Sequence, residues 1–114
     1  MTTIVIRKDN QNSYQGFTCM GHAGYAKRRL FHREPDILCA AVSALTISLM
    51  NALQELADEK LKVTQNEETG FINCVFDGKL QEKSVFLMDS YVFSMKNLSS
   101  QYGEKYLTVK IEEV

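Results

Sequence analysis

Features that would mark a secreted, membrane-spanning or nucleic-acid-binding chain are scarce in these 114 residues. There are three cysteines, Cys19, Cys39 and Cys74. An odd number offers no paired framework and points to reduced thiols in the cytoplasm. The opening Met1-Thr2-Thr3-Ile4-Val5-Ile6 alternates like a strand and lacks a signal peptide's basic start and apolar block. No apolar run is expected to reach the roughly 18 residues that span a bilayer, which argues against a membrane role. Thirteen basic and fourteen acidic side chains leave a net charge of −1, so there is no general pull toward nucleic acid or anionic lipid. One proline and six glycines are too few for linkers or low-complexity tracts, and residues 1–114 read as a single domain.

What is present is a readable series of elements. Residues 3–8 alternate with Ile4 and Ile6 on one face, and Asp9-Asn10-Gln11-Asn12 is turn chemistry leading to a second strand that ends near Gly21. Residues 23–35 have no apolar periodicity, carry Lys27, Arg28, Arg29 and Arg33, and close on Pro35; a loop this long in a small domain is functional or disordered. From Asp36, Leu38, Val42, Leu45, Leu49, Ala52 or Leu53, and Leu56 recur at steps of three and four, which predicts one helix with an apolar stripe. Asp36 suits its N-cap. Residues 61–66 and 71–76 read as strands joined by a turn ending at Gly70. A second helix is predicted over 80–101, with Val85, Met88, Val92, Met95 and Leu98 inward and Gly103 just past its end, followed by a strand over 106–111.

The order β-β-α-β-β-α-β predicts an α+β two-layer sandwich, a mostly antiparallel sheet with two helices on one face. Phe71 and Val75 stand at the opposite parity to Ile72, Cys74 and Phe76. The second face of the sheet is therefore expected to be partly buried, most simply in a homodimer.

Two segments carry the chemistry. Gly21-His22-Ala23 puts an imidazole at a strand end, and Asp36-Ile37-Leu38-Cys39-Ala40-Ala41-Val42-Ser43 puts a thiol near a helix start. A thiol nucleophile and an imidazole base are the two groups a thiol hydrolase needs. Alone, Cys39 is as well explained as a small core residue. Three residues past a cap, however, a thiol is stabilised as thiolate by helix amides, and Cys39 lies beside the Leu38–Val42–Leu45 stripe instead of within it. Gly21 permits an unusual φ next to His22. Asp36 either caps the helix or orients His22 as the third member of a triad does, and Ser43 lies one turn beyond Cys39, where it lines the site or bonds the carbonyl four back. Helix-start amides, that of Cys39 included, are natural oxyanion donors.

Other readings compete. Cys19, His22, His32 and Cys39 have the residue types of a zinc site, but Cys19 and His22 on one strand point to opposite faces, so no metal or other cofactor is expected. The basic cluster Lys27-Arg28-Arg29 lacks interleaved aromatics, which argues against RNA binding. By chemistry alone the Cys–His pair fits an amidase or acyl transferase as well as a protease.

The paired pattern Gly-His-Ala and Asp-x-x-Cys-Ala-Ala-x-Ser resembles the bacterial ribosomal-processing cysteine proteases called Prp, and the similarity extends over the chain's size and element order. The resemblance implies Cys39 as nucleophile, His22 as its base, and Asp36 and Ser43 in support. It also implies a homodimer that cleaves the N-terminal extension of a large-subunit ribosomal protein. The loop between His22 and Cys39 looks longer than is usual in that family, and its basic cluster has no assigned role there. The alternative from another class is a non-catalytic ribosome-associated module in which Cys39 is filler.

Overall fold

The computed structural model describes residues 1–21 and 33–114, with side chains from Ile37 onward in the second stretch. His22, His32, the 23–35 basic cluster and the Asp36 carboxylate lie outside what is described. A five-stranded sheet is built from β1 (Thr2–Lys8), β2 (Tyr14–Met20), β3 (Leu61–Asn66), β4 (Phe71–Phe76) and β5 (Leu107–Glu113), in the order β3-β4-β2-β1-β5. All pairings are antiparallel except β1 with β5. That parallel pair needs a crossover, supplied by the second helix. The predicted sandwich and element order are those of the structure.

Helix α1 spans Arg33–Asn51 and continues as a π-helical turn over Ala52–Leu56; helix α2 spans Glu82–Tyr102 and stops at Gly103, whose φ of 105° an L side chain rarely adopts. Ile4, Ile6, Phe17 and Cys19 from the sheet meet Leu38, Val42 and Leu53 from α1 and its π turn, and Met88 and Met95 from α2, all fully buried. Across the helix pair, the buried Thr46 hydroxyl bonds the Val42 carbonyl at 2.7 Å and shares a 2.8 Å hydrogen bond with the Tyr91 hydroxyl.

Four expectations need correction. The helix begins at Arg33, so Asp36 lies inside its first turn and is not the cap. Pro35 begins no break there, because an N–H missing from the first turn would have had no helical partner. Leu45 and Leu56, assigned to the core stripe, are 38% and 76% exposed. Thr46 takes the buried place beside Leu45, and the wider π turn rotates Leu56 off the stripe. Ile37–Leu56 has a mean hydropathy of 1.7 over enough length to cross a membrane, contrary to the expected lack of such a run. Its polar residues Ser43, Thr46, Ser48, Asn51 and Gln54 are uncharged, Glu55 is charged, and its Leu38, Val42, Leu49 and Leu53 pack into the core.

The fourth concerns the open face of the sheet, which no other part of the described chain covers. Its centre is polar: Arg7 donates to Thr18 Oγ1 at 2.5 Å, to Asn73 Oδ1 at 2.8 Å and to the Cys74 carbonyl at 3.1 Å. Gly16 makes room for this network, since a Cβ there would stand 2.3 Å from the Cys74 oxygen. Phe71 is only half-buried and Val75 is 39% exposed, so the apolar second face inferred from parity is small.

Candidate active site

Cys39 is the seventh residue of α1, half-buried on a flank of the helix beside the core stripe. Two turns in, its amide belongs to the i→i−4 ladder and the end of the macrodipole is already distant. The expectation that Cys39 sits in the first turn, with its own amide open to an oxyanion, is therefore corrected. Whatever ionises this thiol has to come from another side chain, which makes an imidazole base more necessary.

The other two cysteines have the surroundings of inert thiols. Cys19 on β2 and Cys74 on β4 are fully buried. Burial pushes Cys19 up from 9.0 to about 11, against the pull of a hydrogen bond with Thr46 and with a further push from the charge of nearby Cys39. Burial likewise pushes Cys74 up to about 12, with Arg7 pulling the other way. Cys39 is thus near enough to Cys19, on β2, for its charge to be felt there.

Just past the end of β2, Gly21 has a φ of 100°, and a Cβ on it would lie 2.2 Å from the Met1 carbonyl oxygen. Only glycine fits this close approach to the β1 start.

Ser43, half-buried one turn after Cys39, borders a cleft of about 190 Å³. Ile47, Phe71 and Ile72 supply apolar walls, and Gln65, Asn66 and Glu67 from the β3–β4 hairpin a polar rim. Cys39, Ser43 and Ile47 follow one another at i, i+4 and i+8, so the thiol heads a line of residues running into the cleft. A shallower extension continues along β3 past Met50, Gln54 and Val63. Apolar walls with a few polar groups at the rim are the usual makings of a binding cleft. The hairpin's contribution was missed in the sequence. Its one signal was Phe71, whose parity was read as facing a partner when its ring helps wall this cleft.

Among the described residues no cluster of His, Cys, Asp or Glu is arranged to hold a metal ion. Cys19, one of the four residues noted for zinc, is fully buried in the core.

Comparison with known proteins accords with this arrangement. The family model for cysteine protease Prp matches residues 1–107. The ribosomal processing cysteine protease Prp of Bacillus subtilis (strain 168) is 24% identical over 108 residues, covering 91% of this chain and 92% of that one. The crystal structure of SMU.848 from Streptococcus mutans superposes with a TM-score of 0.84 at 26% identity, covering 100% of this chain and 96% of that one. The ribosomal processing protease Prp from S. aureus, in complex with a covalently linked product peptide, gives 0.81 at 17% identity, covering 98% of this chain and 100% of the other. With nearly the whole chain matched by the family model, this protein belongs to the Prp family of cysteine proteases.

Proposed function

We propose that this protein is a cytoplasmic, homodimeric endopeptidase that removes the N-terminal extension of a large-subunit ribosomal protein, with Cys39 as nucleophile and His22 as base. The observation that carries the reading is the family match over residues 1–107, joined to a half-buried Cys39 one helical turn before Ser43 at the cleft edge.

In this mechanism His22 takes the Cys39 proton, and the thiolate attacks the scissile carbonyl carbon to give a tetrahedral oxyanion. His22 then gives its proton to the leaving amine as the C–N bond breaks, leaving a thioester. Water, activated by the same imidazole, adds to the thioester and releases the acid and the thiol. Since the Cys39 amide is held in the helix, oxyanion donors have to come from elsewhere. The Ser43 hydroxyl, at the cleft edge, is the nearest candidate on α1. Asp36, one turn before Cys39 but not a cap, supports His22.

The test is mass spectrometry of a peptide spanning the extension's junction after incubation with the protein. The expected result is a single cut at the junction by wild type and none by Cys39→Ala. His22→Ala should lose about 10²–10⁴-fold, the usual contribution of a general base. Equal cutting by wild type and Cys39→Ala would end the reading.

A further inference from the structure

The sheet has two outer edges, and only one of them is guarded. On β5, three of the last four residues, Lys110, Glu112 and Glu113, are charged. Charge of this kind, a proline or a bulge is how natural edge strands avoid pairing with other chains. At the opposite edge, β3 has Lys62 as its one charged residue and no proline, and it keeps six consecutive register partners in β4 without a bulge. Every residue from Lys62 to Asn66 is exposed. Among the described residues no strand pairs with the outer side of β3. Such an edge is a template about 20 Å long for one more extended chain.

The free edge runs beside a groove. Register sets Val63 opposite Cys74 and Gln65 opposite Ile72, on the side of the sheet that faces α1, whereas Lys62, Thr64 and Asn66 stand on the open face. Val63 and Gln65 form one bank of a hollow of about 470 Å³, and Ile47, Met50, Asn51 and Gln54 form the other. Ile47 and Gln65 also line the cleft that Ser43 borders, so the hollow and the cleft meet there. Ile47 is 47% and Val63 38% exposed, which leaves apolar side chains in water on both banks.

We propose that a stretch of the substrate on one side of the scissile bond adds to the free edge of β3 as a further strand of the sheet. In an antiparallel pair, only alternate residues of β3 spend their N–H and C=O on β4, and the others point outward, where an added chain meets them. The side chains of that chain alternate as well. Every second one hangs over the groove between Val63 and Ile47 and is selected for apolar character. The intervening ones lie beside Lys62, Thr64 and Asn66 in water and are selected weakly. The occupant is the substrate because the groove runs into the cleft at Ser43, one turn after Cys39. This assignment rests on the peptide substrate of the proposed function and adds what selects it: backbone pairing along β3, with Val63 and Ile47 reading alternate side chains.

The test is an N-methyl scan of the junction peptide, one amide at a time and leaving the scissile amide alone, with KM and kcat measured on the full chain. The N–H groups of an added strand point alternately toward β3 and toward water. Methylation should therefore raise KM on the order of 10-fold at every second position over a run of about six residues, and by less than about two-fold in between. Val63→Asp, at an exposed position, should raise KM for the unmethylated peptide by about 10-fold. Ile111→Asp, on the other edge strand and also exposed, should leave KM unchanged. A scan without alternation, or a KM that responds to Ile111→Asp and not to Val63→Asp, would overturn the strand pairing, while cutting that depends on Cys39 would leave the proposed function standing. Failure of wild type to cut the unmethylated peptide would overturn the proposed function, and the pairing of its substrate with β3 along with it.

Discussion

The same functional group occurs in two regions of this molecule with opposite consequences. In the sheet interior, Cys19 and Cys74 are sealed among Phe17, Ile72 and Leu38, and low dielectric holds them as neutral thiols. On the helix flank, Cys39 is half-buried, one turn before Ser43, which borders a cleft. The two settings adjoin, since Cys39 and Cys19 are close enough to interact electrostatically. The surroundings of a sulfur are therefore set by which side of the α1–sheet contact it falls on, and not by the residue type.

The comparison breaks first on substitution. Cys39→Ala is expected to reduce cleavage by on the order of 10⁴–10⁶-fold, as loss of a covalent nucleophile does, and to leave thermal stability nearly unchanged. Cys19→Ala and Cys74→Ala should do the reverse, costing about 1–2 kcal/mol of stability through a small core cavity while retaining activity. Melting curves and cleavage rates on the three variants decide it; a stability loss confined to Cys39→Ala would show that the two regions had been exchanged.

A smaller effect sharpens the role of the cleft. Ile47→Asp and Phe71→Ala change its apolar walls without touching the thiol. Each should raise KM by about 10-fold, equivalent to about 1.4 kcal/mol of lost binding, with kcat held within about two-fold. Steady-state kinetics on the junction peptide tests this. A fall in kcat alone would place these residues with the reacting groups instead of with the bound chain.

The subtlest effect is on pH dependence. Both buried thiols have folded-state values above the ordinary 9.0, at about 11 for Cys19 and about 12 for Cys74. Between pH 9 and these values the unfolded chain has lost protons that the folded chain retains, so deprotonation favours unfolding. Their contribution is intact below about pH 9 and is lost progressively up to about pH 12. Denaturant midpoints should fall over that window in wild type, and fall less steeply in Cys74→Ala. An identical slope in the two proteins would show that the buried thiols do not set the alkaline limit.

Much of the fold was legible because its signals are local. Strands β3 and β4 fall at residues 61–66 and 71–76 as expected, since Asn66 and Gly70 supply turn chemistry between alternating runs, and Gly70 adopts a φ of 67°. The start of α1 was misjudged because proline both ends helices and fits their first turn, and the residues around it do not say which. Burial of Thr46 in place of Leu45 depends on a hydrogen bond to Tyr91, 45 positions away, which periodicity cannot register. Along α2, the inward set of Met88, Val92 and Met95 was visible as a stripe, yet buried Ser84 and Tyr91 and exposed Phe86 and Phe93 run against hydropathy.

The candidate site divides in the same way. Cys39, Ser43 and Gly21 could be named as candidates because their chemistry or backbone freedom is written in the residue itself. Ile47, Gln65 and Asn66 carry no such mark.

What the sequence alone determined is the order of elements and which residues could supply a thiol and an imidazole, because each depends on residue type and on neighbours a few positions away. Tertiary structure alone decided which thiols are buried and what walls the cleft beside Ser43. Sheet order sets β4 beside β2 and so brings the β3–β4 hairpin alongside α1. A cleft is made of segments distant in the chain, and only packing of the whole core brings them together.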